Sequence, residues 1–128
     1  MVAVLVCIDV GDLERGIDFY TRALGLALGR RHGVEWVELT GAPVPVMLIA
    51  NPAGSRACGS ATRDYDRHWT PVHLDFVVDD VAAAVERAEA AGATREGDIQ
   101  VRSWNSIAYM ADPFGNGFDL IEPHGRVN

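Results

Sequence analysis

Apolar and polar positions alternate in two unlike periods along this chain, and the order of the periods repeats. Residues 2–10 are β-rich and apolar apart from Asp9, and Gly11-Asp12 breaks the run. Leu13, Ile17, Tyr20 and Leu24 then recur at helical spacing before Gly25. In the second half residues 72–78 read as a strand, Asp79-Asp80 as the break, and Val81, Val85 and Ala88 as a helix face closed by Gly92. One offset of 68 residues, 12 to 80, carries Asp12 onto Asp80, Leu13 onto Val81, Ile17 onto Val85 and Leu5 onto His73.

Three strands are predicted after each helix: 26–30, 34–39 and 44–50 in the first half, and near 95–101, 106–110 and 117–122 in the second. Each half therefore reads βαβββ, an α+β arrangement of two repeats. Residues 112–117, Asp-Pro-Phe-Gly-Asn-Gly, are a turn signal, with Asn116-Gly117 expected to take the positive φ of a tight hairpin. The halves, about 1–50 and 71–123, are joined by a long irregular loop, 51–70, that reads equally well as a connector or a pocket cover.

At 128 residues the chain fits one domain, 1–128, and since each half alone would be marginal the two should share a core. A net charge of −7 with no lysine speaks against a nucleic-acid partner, which needs clustered cations to release counterions. Cys7 and Cys58 lack a metal or redox spacing, so a reduced, cytoplasmic setting is expected, with Cys7 a buried inert thiol. The N-terminal run has no positive flank, and no segment reaches membrane length. Glycine elbows around serine, phosphate-cradling loops and dinucleotide fingerprints are missing.

The segment Asp12-Leu13-Glu14-Arg15-Gly16-Ile17-Asp18-Phe19-Tyr20…Leu24-Gly25, with Asp112-Pro113-Phe114-Gly115-Asn116-Gly117-Phe118-Asp119-Leu120 late, resembles the vicinal oxygen chelate superfamily. That group includes glyoxalase I, bleomycin-resistance proteins, fosfomycin-resistance enzymes and extradiol dioxygenases. The resemblance implies that the two βαβββ repeats form paired curved mixed sheets, cups that enclose a small-molecule pocket, commonly in a homodimer, and in some members a divalent metal chelated by vicinal substrate oxygens. It puts the four ligand positions at Leu5, near Met47, at His73 and at Asp119. The repeat supports the last pairing, because an offset of 72, from 48 to 120, carries Leu48-Ile49 onto Leu120-Ile121 and Met47 onto Asp119.

Leucine has no donor atom, and a thioether suits hard or borderline ions poorly, so half of that site is apolar. Asp75, two residues from His73, shares its strand face. His73, Asp75 and Asp119 can then be a three-ligand metal site or a hydrogen-bonded polar cluster without metal, and the sequence leaves both open. His68 and Trp69, just before the strand, with Trp104, Tyr109, Met47 and Leu5, are the further candidates for ligand contact, while His32 and His124 read as surface residues.

The resulting expectation is a glyoxalase- or bleomycin-resistance-like protein, homodimeric, that binds a partly apolar or aromatic small molecule without a complete metal site, its cofactor left open between none and a divalent metal. The alternative is an enzyme: a lyase, isomerase or dioxygenase with a divalent metal on substituted ligands, or a metal-free catalyst with His73 as base beside Asp119. An imidazole that titrates near neutrality suits proton abstraction next to a carbonyl.

Overall fold

Asp12 and Asp80 each stand in extended backbone with a carboxylate accepting the N–H three residues on, at 3.0 and 3.1 Å, which starts a helix at the same point of each repeat. The computed structural model describes residues 1–125. The first half runs β1 (Val6–Val10), α1 (Leu13–Leu24), β2 (Ala27–His32), β3 (Trp36–Thr40) and β4 (Val46–Ala50). A short hairpin follows, β5 (Arg56–Cys58) and β6 (Ala61–Thr62), and the second half runs β7 (Leu74–Val77), α2 (Val81–Ala91), β8 (Thr94–Arg95), β9 (Gln100–Val101), β10 (Asn105–Ala111) and β11 (Gly117–Pro123). Gly25 and Gly92 end the helices in the left-handed conformation that glycine adopts without a Cβ clash.

The sheets are ordered β1-β4-β3-β2 and β7-β11-β10-β8, with β9 beside β10. In both, the first strand of the half lies parallel to the last, and the remaining named pairs are antiparallel. Cys7 pairs with Met47 and Asp75 with Asp119, so the two offsets read from the sequence carry one register onto the other. The α+β repeat is thus present in the hydrogen bonding as well as in the residue pattern.

Alternation sends Val10, Val46, Leu48, Val37 and Leu39 of the first sheet, and Phe118, Leu120, Ala108 and Met110 of the second, into one core with Phe19, Tyr20, Ala23, Val81, Val85 and Ala88 of the helices. The helices pack on each other as well as on their sheets. Each fully buried large side chain of this set contributes roughly 1.5–3 kcal/mol, and that shared burial is what holds two marginal halves together. Opposite faces of the sheets are left for Cys7, Met47 and Glu38 in one row and Asp75, Asp119 and Tyr109 in the other.

Four sequence expectations are corrected in detail. The first strand begins at Val6 and not at residue 2, because its partner β4 begins at Val46; Val2, Val4 and Leu5 are left unpaired and exposed. The strand expected near 95–101 is divided into β8 and β9 by Gly97 at φ +100°. Loop 51–70 contains the β5–β6 hairpin. In the 112–117 turn the positive φ falls on Gly115 and not on Asn116-Gly117, since the Asp112 carboxylate accepts the N–H groups of Phe114 and Asn116 at 2.8 and 2.9 Å and wraps the backbone around itself. No helix among the described residues is long and apolar enough to cross a membrane.

Candidate functional site

Among the described residues β7 is an edge strand paired only to β11, and the parallel register sets Asp75 beside Asp119 on the face turned from the helices. His73 precedes β7 by one residue and points the same way: its Nε2 lies 3.2 Å from Asp75 Oδ1 and 3.2 Å from Asp119 Oδ2. Asp119 is 8% exposed, whereas the His73 and Asp75 side chains are about half exposed. Burial, then the hydrogen bond and charge of Asp75, push the Asp119 carboxyl from 3.8 up to about 6 against the pull of His73.

Asp119 therefore keeps its proton into the mildly acidic range. The folded chain holds it where the unfolded chain has already released it, so the group favours folding most below the ordinary value of 3.8, and that contribution is lost as pH rises through about 6. Asp75→Asn, which removes the like charge, is expected to lower the Asp119 midpoint, read from side-chain carboxyl 13C shifts across a pH titration. A midpoint that stays put would assign the whole rise to burial.

Residues 63–70 form a strap tied to both halves. On the first, the Tyr65 hydroxyl donates to the carbonyls of Val10 and Asn51 at 3.2 and 2.6 Å, and Arg63 Nε lies 3.4 Å from Asp9. On the second, Arg67 makes a bidentate pair with Glu96 at 2.6 and 2.9 Å, and the His68 amide donates to Gly115 O at 3.1 Å. The His68 ring sits between Asp66 O at 2.9 Å and Asn116 Oδ1 at 2.8 Å. The strap thereby presents Trp69, which is 78% exposed.

A cavity of about 350 Å³ is lined by Trp69, His73, Tyr109 and Asp119 together with Arg67 and Glu96. His73 also borders a neighbouring cleft of about 510 Å³ that contains His68, Tyr65, Asp9 and Cys7. Four of the sequence candidates are thus gathered in one pocket, with Asp75 joined to it through His73 and His68 facing the adjoining cleft. Trp104 is exposed and lines neither cavity; Met47 is buried within the equivalent row of the first sheet, and Leu5 is exposed ahead of β1. Cys7 is exposed, contrary to expectation, because it occupies the edge of its sheet on the face away from the core. His32 stacks beside Trp36 at 4.6 Å, and His124 hydrogen-bonds Ser106 at 2.8 Å.

Three contributors were not among the site residues read from the sequence. Glu96 meets Arg67 across 29 residues, and Arg102 steadies the Tyr109 hydroxyl at 3.0 Å. Asn116 stood in a recognised turn, but its amide donates to Asp9 O at 3.2 Å and Asp112 Oδ2 at 2.9 Å and so links the halves.

Ligating atoms of His73, Asp75 and Asp119 lie within 4.8 Å of one another. One imidazole and two carboxylates fit a hard or borderline divalent ion in type, and three is the number of protein ligands common at catalytic zinc. The four-position arrangement does not fit, since Leu5, which has no donor atom, and Met47 occupy the places equivalent to His73 and Asp119.

A family model described as a glyoxalase-like domain matches residues 5–121. The chain is 33% identical over 120 residues to a probable chloroplastic lactoylglutathione lyase of Arabidopsis thaliana, covering 88% of this chain but only 33% of the plant protein. It is 28% identical over 123 residues to a probable lactoylglutathione lyase of Vibrio cholerae, covering 88% and 84% of the two chains. Among solved structures it resembles TnmS3, an antibiotic-binding protein from Streptomyces sp. CB03234, with a TM-score of 0.67, 26% identity and 97% of each chain covered.

Proposed function

Since the chain belongs to the glyoxalase-like domain family, we propose that it binds a small, partly apolar or aromatic molecule against the wall formed by His73, Asp75 and Asp119, without the four-ligand metal centre of the superfamily's metal enzymes. The observation that carries this reading is the inequality of two equivalent rows: Asp75, Asp119 and Tyr109 in one half, Cys7, Met47 and Glu38 in the other. Trp69 and Tyr109 supply flat apolar surface, and the acid–imidazole cluster orients a polar group of the ligand. Likeness to an antibiotic-binding protein over nearly the whole chain supports sequestration rather than turnover.

The working unit is proposed to be a homodimer. β1 and β7 each have an unpaired edge, and Val2, Val4, Leu5, Val72 and Val77 lie exposed along or beside them. A second copy laid along these edges would cover that surface and place an apolar half opposite the polar one.

A second reading, metal-dependent catalysis, is favoured by the close-set donors His73, Asp75 and Asp119. A divalent ion there would supply a Lewis acid that polarises vicinal oxygens of a substrate. Without a metal, His73 would instead take the proton at Nε2 beside Asp119, and in either case Trp69 and Tyr109 would position the substrate. The native protein, purified without added metal, is expected to contain no stoichiometric metal by elemental analysis and to bind aromatic compounds with quenching of tryptophan emission that Trp69→Ala removes. Stoichiometric metal lost in His73→Ala and Asp119→Asn would sink the binding-only reading and leave the enzyme.

A further inference from the structure

We infer that the ligand of this pocket is an organic cation, an ammonium or related group carried on an aromatic or apolar body. The inference rests on the binding reading above and adds the sign of the charge. Glu96, the other acid of the pocket wall, is neutralised by its bidentate pair with Arg67. Asp75 and Asp119 are different: among the described residues only His73 lies within 4.0 Å of either as a basic partner.

Among the described residues, the two arginines at the pocket, Arg67 and Arg102, are held by other groups. The chain has no lysine. Arg67 is held by Glu96 and by the carbonyls of His68 and Gly115, and Arg102 donates to the Tyr109 hydroxyl. The first sheet answers this charge only with Cys7 and Met47 in the equivalent places. An anionic ligand would face two carboxylates with one imidazole for relief, and a neutral one would leave that charge unmet.

The aromatic side of the pocket supplies the second, independent element. Trp69 is exposed and Tyr109 half-buried on a wall shared with Asp119, and indole is the best aromatic partner for a cation. Such surface offers nothing to a hydrated metal ion but matches the body of a ring-bearing ammonium, and about 350 Å³ is room for one ring and its substituent.

The test compares three probes by isothermal titration calorimetry on the full chain in the presence of EDTA: benzyltrimethylammonium, benzyl alcohol and phenylacetate. Benzyltrimethylammonium is expected to bind at least about tenfold more tightly than benzyl alcohol and phenylacetate most weakly, with the cation's advantage falling as salt rises. Asp75→Asn, at an exposed position that tolerates an isosteric change, is expected to bring the cation down to the level of the alcohol. Equal binding of cation and alcohol, or a cation unaffected by Asp75→Asn, overturns the charge assignment and leaves the binding reading standing. Failure of all three probes to bind overturns both. Without EDTA, stoichiometric uptake of zinc that excludes benzyltrimethylammonium overturns the inference in favour of the enzyme reading.

Discussion

Gly115→Ala is expected to release the strap from the second half and to lower stability by about 2–4 kcal/mol, with aromatic ligand binding lost in the same variant. Gly115 has φ +79°, a region that costs an alanine roughly 1–2 kcal/mol by itself. An added Cβ would also overlap the Asp66 carbonyl, whose carbon would stand 2.6 Å away, with Tyr65 O at 2.9 Å. Both neighbours are backbone, so neither can rotate aside; the strap must lift, and His68, Arg67 and Trp69 move with it. Urea denaturation and probe titration check the two parts. A variant with the wild-type midpoint and undiminished binding would show that the strap does not depend on this close approach.

Asp112→Ala is expected to cost more, about 3–5 kcal/mol, because it removes the acceptor of several buried donors at once. Asp112 is 4% exposed and receives the Phe114 and Asn116 amides, the Asn116 side-chain amide and the Tyr20 hydroxyl. Burial first, and then the Asp112 charge, hold the Tyr20 phenol well above its ordinary pKa, so it remains a donor. This hydrogen bond joins α1 of one half to the last hairpin of the other. Tyr20→Phe should cost less, about 1–3 kcal/mol, since three donors still reach the carboxylate. Equal losses in the two variants, measured by chemical denaturation, would show that the tyrosine bond alone matters.

The scaffold was legible because the repeat is written in residue types that local physics obeys. Aspartate before each helix, glycine after it and apolar spacing between recover α2 at its observed bounds and α1 to the residue. Strand 95–101 failed because an apolar pattern does not show where a single glycine will take positive φ. Residues 2–5 failed for another reason: β propensity says what can pair, not whether a partner is within reach. Alternation brought His73, Asp75 and Asp119 to one face, and the register supplied the contact. Arg67 and Glu96 could not be read, because nothing local marks a pair formed when a loop folds back across a sheet.

The bare edges of β1 and β7 have a further consequence, for colloidal behaviour. An unpaired strand edge flanked by valines is a template on which foreign strands can add and fibrils can grow. Here each edge strand carries a carboxylate on its outward face, Asp9 on β1 and Asp75 on β7. An incoming apolar strand would have to desolvate that charge, so the acids that shape the pocket also act as gatekeepers against misassembly. Neutralising Asp75 to alter ligand preference therefore trades against solubility.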